Sequence, residues 1–240
     1  MIRTVLTAVT VVVATIIIGS LAILFGIFNP YSKCIYIFSQ LWARSILYIS
    51  GAKIKVHGLE NIDINKNYIF VGNHQSHFDV LAVFRVLPMT VRFLAKKELF
   101  QIPIFGWAIA SVGMIKIDRS NHEKSLESIQ TAQEIIKKEK ISLVIFPEGT
   151  RSFNGQLQKF KKGGFVIAIN GMLPIIPVSI SGSRFILKKH SLRVHPGTIK
   201  IVFGKAIETK IYSYNQRDKL VAITKEIIAK NIDPDFNDRG

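Results

Sequence analysis

Between Thr4 and Phe28 the chain runs for 25 residues without a charged side chain, long enough to cross a bilayer with some tilt. Membrane attachment is therefore the first expectation. Gly19 and Gly26, with Pro30 beyond, also permit two short helices that enter one leaflet and return, and the sequence does not separate this from a span. A cleaved signal peptide fits less well, because the run is longer than a usual apolar signal core and lacks a clear small-residue cleavage site. Arg3 precedes the run, whereas Lys33, Arg44, Lys53 and Lys55 follow it. If the run spans, the body lies in the cytoplasm, and the expected location is the cytoplasmic side of a cell inner membrane. Next, Pro30 to Ser50 place Ile35, Phe38, Leu41, Trp42, Ile46 and Ile49 close to helical spacing, which suits an interfacial amphipathic helix and equally a helix packed on the core.

The remaining length of a 240-residue chain accommodates one domain with a real core. The net charge of +16 is uneven: residues 141–240 hold 16 Lys and Arg against 7 Asp and Glu, and residues 61–140 hold 11 against 8. Beside a membrane anchor, that surplus favours anionic headgroups, phosphorylated substrates and acidic carriers. Nucleic acid is the bland alternative, but no binding motif or aromatic platform accompanies the charge. A single cysteine, Cys34, excludes an internal disulfide framework.

From Gly51 onward, short β-rich runs alternate with helix-length segments. The expected class is α/β, a mixed layered sheet flanked by helices and preceded by the apolar membrane-associated segment. Strands are expected at Lys53–His57, Tyr68–Val71, Val91–Leu94, Gly113–Ile117, Ser142–Phe146, Ile175–Ile180 and Lys200–Phe203. Helices are expected at Asp79–Leu87, His122–Lys138 behind Ser120-Asn121, Lys162–Asn170 and Gln216–Lys230. The division is then an anchoring part at 1–50, a domain at 51–232 and a polar tail at 233–240.

The chemistry starts at Asn73-His74-Gln75-Ser76-His77-Phe78-Asp79. Five residues apart on one helix, His74 and Asp79 would point roughly 140° from each other. They can meet if a loop carries the histidine and the aspartate opens the next helix. A carboxylate on one imidazole nitrogen would fix the tautomer and leave the other free to take a proton. His77 invites a metal reading with these two, but no complete zinc motif follows, so no metal is expected and His77 is assigned to shaping the turn.

A second cluster, Phe146-Pro147-Glu148-Gly149-Thr150-Arg151-Ser152, follows a strand, where α/β proteins commonly hold ligands. Gly149 permits unusual backbone geometry, and Arg151 offers a planar fork of donors suited to phosphate. Glu148 could hold that guanidinium or a substrate hydroxyl; the plain alternative is a turn with a surface Glu–Arg pair. Gly113 to Arg119 is another strand ending in charge, with Arg119 a second phosphate candidate. Leu173 to Val178 is an apolar strand between prolines, better suited to a wall. Lys96, Lys97, Lys161 and Lys162 lie near element ends, where a lone lysine is more often solvated than bound.

Together these segments, from about Ala52 to Gly204, resemble the glycerolipid acyltransferase superfamily, most closely the 1-acyl-sn-glycerol-3-phosphate acyltransferases. His74 and Asp79 look like its His-x4-Asp motif, the segment ending at Arg119 like its second block, Phe146 to Ser152 like its third and Leu173 to Val178 like its fourth. The resemblance implies transfer of an acyl group from a thioester of coenzyme A or acyl carrier protein, as co-substrate, to the sn-2 hydroxyl of lysophosphatidic acid. No other cofactor is implied. His74 would act as base with Asp79 behind it. Arg119, Arg151 and Lys96 would hold the acceptor phosphate, with Glu148, Gly149 and Thr150 completing the substrate-binding set, and a backbone amide or Lys96 would stabilise the oxyanion. No Gly-x-Ser-x-Gly elbow is present, so an acyl-enzyme lacks an obvious nucleophile. Two other readings remain open: a different acceptor, such as glycerol-3-phosphate or another lysophospholipid, and a non-catalytic membrane-tethered protein that binds anionic lipid.

Overall fold

A computed structural model describes residues 1–118, 120–233 and 236; Arg119 and most of the expected polar tail lie outside the described residues. Among these, seven strands form one mixed sheet in the order β1-β7-β6-β2-β5-β3-β4. They are β1 (Ala52–His57), β2 (Ile69–Gly72), β3 (Val91–Lys96), β4 (Ile115–Ile117), β5 (Ser142–Ile145), β6 (Ile175–Ser181) and β7 (Gly197–Phe203). Strands β6, β2, β5, β3 and β4 are parallel, and β7 runs against β6. The central strands β2, β5 and β6 are buried throughout, as expected of apolar runs covered on both faces. Edge strand β1 instead alternates between half-buried and exposed positions.

Helices cover both faces. On one side α2 (Lys33–Ser50) and α3 (Phe78–Val86) bury Tyr36, Ile46, Leu47, Leu81 and Phe84 against Phe70, Phe93, Val144 and Ile176. On the other, α5 (His122–Glu139), α6 (Gly163–Asn170) and α8 (Arg217–Asn231) bury Ala132, Ile136, Phe165, Leu220 and Ile228 against Ile69, Leu143, Ile145 and Ile175. Asn121 caps α5 by accepting from Lys124 N at 2.8 Å, while Ser32 caps α2 from Cys34 N at 3.1 Å. Two short helices were not expected, α4 (Phe105–Ser111) and α7 (Ser183–Ile186). α4 follows Pro103 and contains Gly106, so propensity does not announce it.

The apolar run is one uninterrupted helix, α1 (Ile2–Gly26), long and apolar enough by length and composition to cross a membrane. Gly19 does not break it. Small residues, Thr7, Ala14, Gly19, Ala22 and Gly26, form its buried face, which lets α2 and α4 approach closely. A side chain on Gly19 would meet Ala108, and one on Gly26 would collide with the Ser111 carbonyl. The large residues Val5, Val9, Val12, Ile16, Leu21 and Leu24 face outward. Both ends of α1 touch the body: Thr4 Oγ1 accepts from Val194 N at 3.0 Å, and Gly26 abuts Ser111. α2 packs on the core, one of the two readings its spacing allowed, with Ile35 and Ile46 inside, while Ile37, Leu41 and Tyr48 are exposed. The turn joining α1 to α2 is pinned by Arg92 of β3, fully buried, whose Nη2 donates to Pro30 O at 3.1 Å and Ser32 O at 3.4 Å. Burial pushes the pKa of that guanidinium down to about 10.

Candidate active site

The C-terminal ends of β2 and β5 lie side by side at the centre of the sheet, the place where open α/β sheets hold ligands. β2 ends at Gly72, and the next residues carry His74 into a loop before α3 begins at Phe78. Asp79 therefore sits in the first turn of α3, where a carboxylate is favoured by the free amides and the helix dipole. Its Oδ2 accepts from His74 Nδ1 at 2.8 Å, from Gln75 N at 2.6 Å and from Ser76 N at 2.8 Å. Asp79 is fully buried, while His74 keeps 16 % of its side chain exposed. An ionised Asp79 only accepts, so Nδ1 carries its proton and Nε2 is the acceptor left open.

The β5 end brackets the same histidine. Glu148 Oε1 accepts from His74 N at 3.0 Å, and Ser152 N donates to His74 O at 2.7 Å. Phe146 stacks on the imidazole, centroids 4.3 Å apart and planes within 10°. Glu148 thus holds the histidine loop, and of the two roles the sequence left open for it, Arg151 guanidinium or substrate hydroxyl, no described bond shows the first. Burial pushes its carboxyl up, against hydrogen bonds from the amides of His74 and Gln158 that favour the charge. Gly149 has a φ of 73°, a conformation that glycine adopts without strain.

Arg151 lies on the site side of this loop. Partial burial lowers its pKa while the Asp79 charge opposes that, and Arg151 in turn helps hold down His77. Desolvation of the ring, then Arg151, then His74, lower the pKa of His77 to about 4 against the opposing Asp79 charge, although the residue as a whole is exposed. Lys189 supports the loop from outside, donating to Arg151 O at 2.8 Å and Thr150 Oγ1 at 3.2 Å. Lys96, at the end of β3, is exposed and pairs with Glu98 at 3.3 Å; no described bond joins it to the histidine cluster. Arg119 lies outside the described residues. Among the described residues no three His, Cys, Asp or Glu side chains are grouped to hold a metal ion.

Two supporting residues escaped the sequence reading. Phe146 was visible in its block, but nothing there signals that its ring faces the imidazole. Lys189 sits 38 residues beyond Arg151 in a segment without periodicity, and only the fold brings it back.

Comparison with known proteins identifies the family. A model of the family described as Acyltransferase matches residues 53–181. The chain is 31% identical over 216 residues to a 1-acyl-sn-glycerol-3-phosphate acyltransferase of Escherichia coli, covering 90% of this chain and 86% of that one. It is 35% identical over 173 residues to a 1-acyl-sn-glycerol-3-phosphate acyltransferase of Cocos nucifera, covering 72% of this chain. It spans 56% of the length of that plant relative and 66% of a similar one from Limnanthes douglasii. The crystal structure of the 1-acyl-sn-glycerophosphate acyltransferase of Thermotoga maritima shares the fold, with a TM-score of 0.75 over 95% of both chains at 24% identity. The chain therefore belongs to the acyltransferase family, with the 1-acyl-sn-glycerol-3-phosphate acyltransferases as its relatives.

Proposed function

We propose that the protein transfers a fatty acyl group from an acyl thioester to the sn-2 hydroxyl of lysophosphatidic acid, giving phosphatidic acid. The observation that carries this reading is the His74 Nδ1 to Asp79 Oδ2 bond of 2.8 Å, which leaves Nε2 as the open acceptor of the ring. His74 Nε2 takes the hydroxyl proton as that oxygen attacks the thioester carbonyl, and buried Asp79 stabilises the imidazolium. The C–S bond then breaks, and the imidazolium returns its proton to the departing thiolate. Phe146 and the bonds to Glu148 and Ser152 keep the ring in place, so little is spent on orienting it at the moment of reaction.

Arg151 and Thr150 receive the acceptor phosphate, with Arg119 in the same role. Lys96 joins them, or the oxyanion, by leaving Glu98. Such an exposed pair is weak because water screens it, so release is cheap. Coenzyme A or acyl carrier protein brings the acyl chain, and the reaction needs no further cofactor. Residues 1–50 form the membrane element and 51–232 the acyltransferase domain. Because both ends of α1 touch the body, its apolar face fits a helix lying in the membrane surface better than one standing across it.

The test is thiol release from acyl-CoA, and separately from acyl carrier protein, with lysophosphatidic acid present or absent. Acceptor-dependent release that disappears in His74→Ala, with lipid binding retained, supports the reaction and the base. Release that persists in the variant, or that ignores the acceptor, refutes the reading.

A further inference from the structure

Between Glu148 and Glu208 the sequence contains no acidic residue, yet ten Lys and Arg fall there. Four of these cations cluster around the segment after α7, Arg184, Lys188, Lys189 and Arg193. Residues 187–196 form an ordered loop rather than a loose one. Ser191 N donates to Lys188 O at 3.1 Å, Arg193 N to Ser191 Oγ at 3.0 Å, and His195 N to Ile186 O at 2.9 Å. At its tip Leu192 is 87% exposed, between exposed Lys188 and exposed Arg193. A bare leucine flanked by cations with long apolar stems is poorly suited to water and well suited to a headgroup boundary.

The loop's attachments say which boundary. Val194 N donates to Thr4 Oγ1, so the tip stands beside the first turn of α1, whose large apolar residues are exposed. At the other end Leu187 O accepts from Ser76 Oγ at 2.8 Å, in the histidine loop, and Lys189 grips Thr150 and Arg151. We propose that the Lys188–Arg193 tip is a second membrane contact, which inserts Leu192 at an anionic bilayer surface while Lys188 and Arg193 bind lipid phosphates. The active-site loops are thereby held against the surface from which a lipid acceptor arrives. An isolated phosphate as occupant would leave Leu192 unexplained.

The inference rests on the in-plane seating of α1 proposed above, and is tested with the full chain. Partition is measured into vesicles of phosphatidylcholine alone and with about a third phosphatidylglycerol. Lys188→Gln/Arg193→Gln should weaken binding to the anionic vesicles by about 30-fold, at the strength typical of two basic side chains near such a surface. Binding to neutral vesicles should change little. In a second variant, Leu192→Trp, the emission of the added indole should be quenched by brominated acyl chains; this readout also serves if the glutamine variant folds poorly. Equal binding of the glutamine variant to anionic vesicles, or added emission that the brominated chains leave unquenched, overturns the proposal. If the unsubstituted chain binds neither vesicle, the seating of α1 fails and the loop contact with it. If it binds through α1 while the indole introduced at the tip stays unquenched, the loop contact alone is wrong.

Discussion

Replacing Asp79 by Asn and by Ala separates two tasks that one carboxylate oxygen performs. Oδ2 satisfies the buried amides of Gln75 and Ser76 as well as His74 Nδ1. Alanine leaves both amides without a partner, at about 1–3 kcal/mol each, so the fold loses about 2–6 kcal/mol. Against a typical total of about 5–15 kcal/mol that is severe, and the melting temperature should fall by roughly 5–20 °C. Asparagine keeps an oxygen for both amides and the imidazole, and its nitrogen takes the place of Oδ1, which already makes no hydrogen bond. Its stability cost should stay within about 1 kcal/mol. The charge is nevertheless gone. Opposite charges about 4 Å apart at an effective dielectric near 20 attract by roughly 4 kcal/mol, of which the amide dipole recovers part. A net loss of about 2–3 kcal/mol from the imidazolium transition state lowers kcat roughly 30- to 150-fold. Thermal unfolding and acceptor-dependent thiol release on both variants check this. An alanine variant as stable as the parent, or an asparagine variant with full turnover, would refute the reasoning.

Other expectations follow from single contacts. Arg151→Ala should raise KM for phosphate-bearing acceptors about 10-fold or more while sparing those without phosphate; an unchanged preference would remove Arg151 from the acceptor site. Glu148 has its folded pKa raised by burial, so its contribution to stability is fully present below the ordinary value of 4.5 and is lost as pH rises through the folded value. Glu148→Gln, which retains the acceptor for His74 N, should match the parent's melting temperature near pH 4 and equal or exceed it at pH 7, measured by a pH series of melts. Gly26→Ala should clash with the Ser111 carbonyl and cost about 1–3 kcal/mol; an unchanged melting temperature would mean that the ends of α1 and α4 do not pack as closely as described.

The sheet was legible because its strands are short apolar runs closed by turn residues. All seven lie where the pattern put them, although β4 starts two residues late and β7 three residues early. α5 was legible from its Asn121 cap and polar face. α4 was not, because its residues follow no amphipathic period and it forms by packing on α1 rather than by propensity. The meeting of His74 with Asp79 could be argued from the five-residue spacing, since only a loop followed by a helix start lets them touch. The task of Glu148 could not. A carboxylate three residues before an arginine suggests a pair, and only the adjacency of β2 and β5 offers it the amide of His74 instead. Whether α1 stands or lies depends on contacts of Thr4 and Gly26 with residues far along the chain, which local sequence does not contain.

If α1 is the membrane anchor proposed above, its two-ended fastening makes it a mount rather than a leash. A head on a flexible stalk samples many tilts and must wait for its reactive face to turn downward. Here the helix packs on α2 and α4, and Arg92 of the sheet is bonded to the turn between α1 and α2. Under the membrane seating proposed above, the height and tilt of His74 over the lipid would be fixed by geometry. On that seating the search for an acceptor would reduce to lateral diffusion in two dimensions, and loosening the mount would slow encounter even with every proposed reactive group intact.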